Sequence, residues 1–175
     1  MIRQRVDAIV ALGSNLGERE SSLASAVEQL RAVPGIESVE LSPLRETLAL
    51  TPTGVDPNAP RYLNAVARVR TGLDPHELLD ELQRIETGLG RTRDVRWGDR
   101  TLDLDLIVFG GRVVQDDRLT VPHPRAFERD FVLAPWLGLD PQAVLMGHGR
   151  VAELLARIGD TTLPFPASDP AEGGQ

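Results

Sequence analysis

The chain contains no cysteine and no lysine. The first absence excludes disulfides and thiolate metal sites. The second leaves arginine as the sole strong cation, at all 19 basic positions. Its planar fork binds phosphate oxygens bidentately. Aromatic residues make up only 4% of the chain, so each is a notable position. No apolar run approaches membrane-spanning length. The start, Met1–Leu12, has too short an apolar stretch for a secretory signal, and Asp7 interrupts it, so the cytosol is the expected compartment. No internal repeat is present. A net charge of -7 argues against general binding to nucleic acid.

What is there begins with size. A chain of 175 residues that is 41% hydrophobic can bury a core in one domain. Against the acidic balance, nine of the 19 arginines fall between Arg84 and Arg129. Within that stretch lies Leu102-Asp103-Leu104-Asp105-Leu106-Ile107-Val108-Phe109, ended by Gly110-Gly111. It reads as a strand, because it alternates and then turns β-branched and aromatic. Leu102, Leu104 and Leu106 then share one face, and both carboxylates share the other. At a rise of about 3.3 Å per residue the carboxylates are roughly 7 Å apart. Two like charges on a mostly buried strand are costly without a cation between them. Mg²⁺ typically takes one or two carboxylates plus substrate phosphates. The other reading is an edge strand with a wet polar face. The neighbouring arginines favour the first, since carboxylates for metal beside arginines for phosphate suit phosphoryl transfer.

The remaining elements follow from local signals. Val6–Leu12 reads as a buried strand ending in Gly13-Ser14-Asn15-Leu16-Gly17. A helix from about Glu18 carries the stripe Leu23, Val27, Leu30 and Val33, and Pro34-Gly35 stops it. Ile36 to about Thr47 reads as one strand, and 48–60 as a loop. Tyr62–Thr71 is the next strand, with Leu63, Ala65, Ala67 and Val69 on one face and Tyr62 and Asn64 on the other. Asp74-Pro75-His76-Glu77 opens a helix with a capping box and proline at its first position. Leu78, Leu82, Ile85 and Leu89 form its core stripe, and Gly88 and Gly90 end it. Arg112–Val114 suggests a hairpin strand, and Phe131–Leu137 and Val151–Ile158 suggest short helices. The expected domain is 1–163, with 164–175 a loose tail. The order βαββαβ predicts a ferredoxin-like α+β fold: an antiparallel sheet with packed helices and a short C-terminal helical extension.

Four segments coincide in order: Ala11-Leu-Gly-Ser-Asn-Leu-Gly17, Tyr62-Leu-Asn-Ala65, Arg96-Trp-Gly-Asp-Arg-Thr-Leu-Asp-Leu-Asp105, and Leu119-Thr-Val-Pro-His-Pro-Arg125 with Glu128-Arg-Asp-Phe-Val-Leu133 behind it. Together they resemble the 6-hydroxymethyl-7,8-dihydropterin pyrophosphokinases of folate synthesis, from about Val6 to Leu155. That resemblance implies transfer of the terminal diphosphate of ATP to the pterin's hydroxymethyl group, with release of AMP. It implies two Mg²⁺ ions on Asp103 and Asp105. It makes Arg91 and Arg93 catalytic, on a loop that closes over the triphosphate, with Arg100 as a further phosphate contact and Trp97 packed in the same loop. Gln83, Glu86, Arg118, Thr120, His123 and Arg129 would complete the ATP site. Tyr62 and Phe131 would stack on the pterin ring, and Asn64 would read its edge. The family commonly carries a Thr-Pro-Pro turn after the second strand. Here the stretch is Thr47-Leu48-Ala49-Leu50-Thr51-Pro52, so Thr47 and Ala49 are the candidates for its pterin contacts. A monomer is expected, without nucleic acid or membrane.

Two other classes compete. A nucleotidyltransferase using Asp-x-Asp would place a Gly-Ser pair about a dozen residues before the aspartates, whereas Gly13-Ser14 lies far upstream. A ferredoxin-like RNA-binding module would need a basic, aromatic sheet face, and this strand carries two aspartates.

Overall fold

The computed structural model describes residues 3–15, 18–48, 50–51, 54–55, 61–90 and 102–166, the side chains of 50, 51, 54, 55 and 90 excepted. β1 (Val6–Ser14) leads to α1 (Arg19–Arg31), β2 (Ile36–Leu41) and β3 (Leu44–Thr47). A small hairpin, β4 (Leu50–Thr51) and β5 (Gly54–Val55), precedes β6 (Tyr62–Thr71) and α2 (Pro75–Gly90). β7 (Asp103–Phe109) runs into a second hairpin, β8 (Val114–Gln115) and β9 (Thr120–Val121). A 3₁₀ turn (Ala126–Glu128) opens onto α3 (Asp130–Leu139). The hairpin β10 (Val144–Leu145) and β11 (Gly149–Arg150), α4 (Val151–Ile158) and β12 (Leu163–Phe165) complete the described chain.

The main sheet has the order β12-β3-β6-β1-β7, with β2 also on β6, and each of its pairings is antiparallel. With β2 and β3 as two halves of one interrupted strand, the succession is fourth, first, third, second, the ferredoxin-like arrangement expected from the element order. The interruption has a chemical cause. Pro43 lacks an N–H for the ladder. Ser42 fills the gap from both ends: its N–H donates to Val66 O, and its Oγ accepts from Val66 N.

Period-two alternation sorts the sheet residues into two cores. Ala8, Val10 and Leu12 of β1, Leu63, Ala65, Ala67 and Val69 of β6, and Leu102, Leu104 and Leu106 pack against α1 and α2. Of the predicted stripes, Leu23, Val27 and Leu30 are buried in one helix and Leu78, Leu82 and Ile85 in the other; Val33 is buried just past the end of α1, and Leu89 is half-buried. Truncating such a leucine to alanine costs about 2–5 kcal/mol. α2 begins as its capping box requires, with Glu77 Oε2 accepting from Asp74 N at 2.8 Å. It runs on through Gly88 and stops at Gly90 rather than at the first of the two glycines. On the opposite face, Ile9, Ala11, Val66, Ile107 and Val108 pack against Val132, Leu133 and Trp136 of α3 and Val151 and Leu154 of α4.

β7 departs from simple alternation at one point. Ile9 pairs with Val108, but Val10 pairs with Leu106. Ile107 is therefore the extra residue of a bulge, which lets both Ile107 and Val108 join the second core. The described chain also continues past residue 163, into the first residues of the expected tail. Leu163–Phe165 pairs with β3 as the sheet's outer strand.

Candidate active site

The second core ends at the row Asp105–Ala11–Val66, and the next row turns polar. Asp103 pairs with Gly13, Gly13 with Asn64, and Asn64 with Arg45. Directly paired residues of antiparallel strands point to the same face, so these four form one line across the sheet. Asp105 is exposed, Asp103 is half-buried and Asn64 is buried. Both carboxylates thus lie beyond the apolar packing, on the face predicted from the alternation.

Glycine at position 13 has a specific consequence. A Cβ there would come within 3.2 Å of Asn64 Oδ1. That is tighter than ordinary van der Waals contact, so the absence of a side chain keeps open the space between Asn64 and Asp103. The Asn64 amide is held from its other end, where Nδ2 donates to Thr47 Oγ1 at 2.9 Å. Tyr62, paired with Thr47, shares this face and is half-buried. Just past Gly13, Ser14 Oγ and Asn15 Oδ1 are buried and have no hydrogen-bond partner among the described residues.

The carboxylate strand is bracketed by groups from two other elements. Glu86 of α2 accepts from the backbone N–H of Leu104, between the two aspartates, at 3.1 Å. Gln83, one turn earlier, is exposed. From the other side, His123 N donates to Ile107 O at 2.7 Å, which fastens the segment after β9 to β7. Burial pushes the His123 imidazole below its usual pKa; the Arg129 and Arg125 charges push the same way, and the Asp105 carboxylate opposes them. His123 Nδ1 accepts from Arg125 N at 3.1 Å. The proton of the neutral ring therefore sits on Nε2, which is left as a donor. The Arg129 guanidinium stands 5.7 Å from the Phe131 ring centroid, and Phe131 is half-buried in the first turn of α3.

Arg118 and Thr120 are exposed at the β8–β9 hairpin. The Arg118 guanidinium is paired with Asp80 of α2 at 2.5 Å. Asp116 shapes that turn by accepting from the N–H groups of Arg118 and Leu119, and it also contacts His76 Nε2 at 2.6 Å. The structure therefore gathers Asp103, Asp105, Glu86, His123 and Arg129 around one strand, and Asn64, Thr47 and Tyr62 beside it. Arg91, Arg93, Trp97, Arg100 and Ala49 lie outside the described residues. Among the described residues, no group of three or more His, Asp or Glu side chains is arranged to hold a metal. Two carboxylates on one open face still suit a hard cation whose remaining ligands are phosphate oxygens. No helix among the described residues is long and apolar enough to cross a membrane.

Comparison with known proteins adds to this geometry. The family model for 7,8-dihydro-6-hydroxymethylpterin-pyrophosphokinase (HPPK) matches residues 9–141. A 2-amino-4-hydroxy-6-hydroxymethyldihydropteridine pyrophosphokinase of Bacillus subtilis is 45% identical over 128 residues, covering 73% of this chain and 74% of that one. The protein of the same name from Haemophilus influenzae is 38% identical over 155 residues, covering 89% and 94%. A mitochondrial folate synthesis bifunctional protein of Pisum sativum is 42% identical, with the match covering 78% of this chain and 25% of the longer one. Among solved structures, Plasmodium falciparum wild-type HPPK-DHPS with SDX-DHP superposes with a TM-score of 0.65 at 13% identity. That match covers 92% of this chain and 48% of the Plasmodium chain, and at such identity it speaks for the fold alone.

Proposed function

This chain belongs to the 7,8-dihydro-6-hydroxymethylpterin-pyrophosphokinase family, and from that we infer that it transfers the terminal diphosphate of ATP to the hydroxymethyl group of 6-hydroxymethyl-7,8-dihydropterin, releasing AMP. One observation carries the reading furthest at the level of residues. The row Asn64–Gly13–Asp103 sets an amide suited to a heterocycle edge one strand away from a carboxylate suited to metal and phosphate. Donor and acceptor substrates would thus meet across Gly13.

Asp103 and Asp105 would hold two Mg²⁺ ions along the triphosphate. When bound, the metal supplies charge screening and polarises the β-phosphorus toward attack. The chain's own groups do the rest. His123 Nε2–H and the guanidinium groups of Arg129, Arg118 and Arg100 bind phosphate oxygens, and Thr120 supplies a hydroxyl beside them. Gln83 and Glu86 face the nucleoside from α2. Arg91 and Arg93 neutralise charge as it develops, and together with Trp97 they exclude water that would compete as acceptor. Tyr62 and Phe131 stack on the pterin, while Asn64 pairs with its edge under the orientation fixed by Thr47; Ala49 adds a backbone contact. The hydroxymethyl oxygen forms a bond to the β-phosphorus, the bond from that phosphorus to the α–β bridging oxygen breaks with its electron pair staying on AMP, and the hydroxyl proton leaves to solvent. The enzyme would act as a single copy in the cytosol.

The test is product analysis with ATP, Mg²⁺ and 6-hydroxymethyl-7,8-dihydropterin. AMP formation that needs all three supports the reading. Pyrophosphate release would instead indicate nucleotidyl transfer, and ADP an ordinary kinase.

A further inference from the structure

Residues beyond 141 lie outside the family match, yet three of them bind to both sides of the proposed pterin pocket. The Thr162 hydroxyl donates to Asp160 Oδ1 at 2.6 Å, so its lone pairs face its other neighbour. That neighbour is Arg45, whose Nε donates to Thr162 Oγ1 at 2.8 Å and whose Nη2 reaches Thr162 O at 3.1 Å and Asp160 Oδ2 at 3.3 Å. Thr162 is buried, so its own two hydroxyl bonds are shielded from competing water, while Asp160 at the rim is exposed. Arg45 sits in β3 directly opposite Asn64, two residues before Thr47, the residue that orients the Asn64 amide. The second attachment is to α3. Asp130 Oδ2 accepts from both the N–H and the hydroxyl of Thr161, at 2.8 and 2.6 Å. Asp130 immediately precedes Phe131, the proposed stacking residue.

We propose that Asp160–Thr162 is a brace joining the two walls of the pterin pocket, with Arg45 and Asp130 as positioning residues that act through Asn64 and Phe131. The brace rests on the reading of the pocket given above. Adjacent residues reach two different elements, Thr161 the first turn of α3 and Thr162 strand β3, so the segment fixes the separation of amide edge and ring face. A planar ligand held between an edge reader and a stacking face is sensitive to that separation, because both contacts must be satisfied at once. Among the described residues, no hydrogen bond links Asp160–Thr162 to the proposed triphosphate groups on β7 and α2; Arg129 alone of the proposed ATP contacts neighbours an anchor of the brace, Asp130. Loss of the brace should therefore affect one substrate and spare the other.

The experiment compares Arg45→Met, Thr161→Val, Thr162→Val and Thr162→Ser with Asn64→Ala, titrating each with the pterin and separately with a non-hydrolysable ATP analogue and Mg²⁺. Arg45→Met, Thr161→Val and Thr162→Val should each weaken pterin binding about three- to tenfold, the worth of about one net hydrogen bond. Analogue affinity should stay within about twofold, and Thr162→Ser should bind like the parent because it keeps the hydroxyl. If Arg45→Met does not fold, the Thr162→Val and Thr162→Ser pair decides the matter. Equal losses for both substrates, or parental pterin affinity in Thr162→Val, overturn the brace. If Asn64→Ala also leaves pterin affinity unchanged, the pocket itself is misplaced; if only Asn64→Ala weakens it, the brace alone fails.

Discussion

Asn64 and Asp103 stand on either side of Gly13, in register on one face of the sheet, so that strand β1 places no side chain between them. Gly13→Ala should therefore act on substrate binding before it acts on the fold. Its Cβ would meet Asn64 Oδ1 at 3.2 Å, and that amide is already held by Thr47, so it has little room to yield. The expected result is a loss of pterin affinity of about tenfold, the equivalent of one displaced buried hydrogen bond. Calorimetric titration checks it, and an unchanged dissociation constant would remove Gly13 from the site.

Asp103→Ala and Asp105→Ala should each nearly abolish turnover while the protein stays folded. Asp105 is exposed and Asp103 half-buried, both beyond the apolar packing, so neither change opens a core cavity. Thermal melting should shift by no more than a few degrees. A folded Asp105→Ala protein with near-normal turnover at saturating Mg²⁺ would refute the two-metal reading.

Arg118 is proposed to contact ATP, yet it is paired with Asp80. That pair is exposed on both sides, so solvent screening leaves it weak. Asp80→Asn should then release Arg118 and tighten binding of an ATP analogue by up to about fivefold. The gain should disappear in the Asp80→Asn/Arg118→Ala double variant. Tightening that persists there would mean that Asp80 acts on the nucleotide without Arg118.

Much of this site was legible because its signals are local. The Asp-x-Asp alternation assigns both carboxylates to one face, and Tyr62 and Asn64 share a face by the same period of two. The capping box at Asp74 sets the start of α2 and thereby the phase of Glu86. What escaped is non-local. The bulge at Ile107 depends on the pairing of β7 with β1, and nothing in the order Leu106-Ile107-Val108 announces it. The break at Ser42-Pro43 was hidden because both halves pair with the same strand. Arg45 and Thr162 meet across 117 positions of sequence. Pro164 and Phe165 read as the start of a tail by composition, since Pro164 and Pro166 flank the aromatic residue, and with Leu163 they form a strand only because β3 presents an edge to them.

His123 supplies a pH prediction whose sign follows from its surroundings. Burial and the Arg129 and Arg125 charges lower its pKa in the folded protein, more than Asp105 raises it, while in the unfolded chain it titrates near 6.5. Above about 6.5 the ring is neutral in both states and contributes no slope. As the pH falls below that value, the unfolded chain takes up the proton first, so stability falls until the folded pKa is reached. His123→Gln removes that proton uptake. The melting temperature of the parent should drop more steeply than that of His123→Gln between pH 7 and pH 5, two pH settings that bracket roughly the unperturbed value. An NMR titration of the His123 ring gives the direct check, with a midpoint expected below that of His in a model peptide. A midpoint at or above the model value would show that Asp105, and not burial beside Arg129, governs this ring.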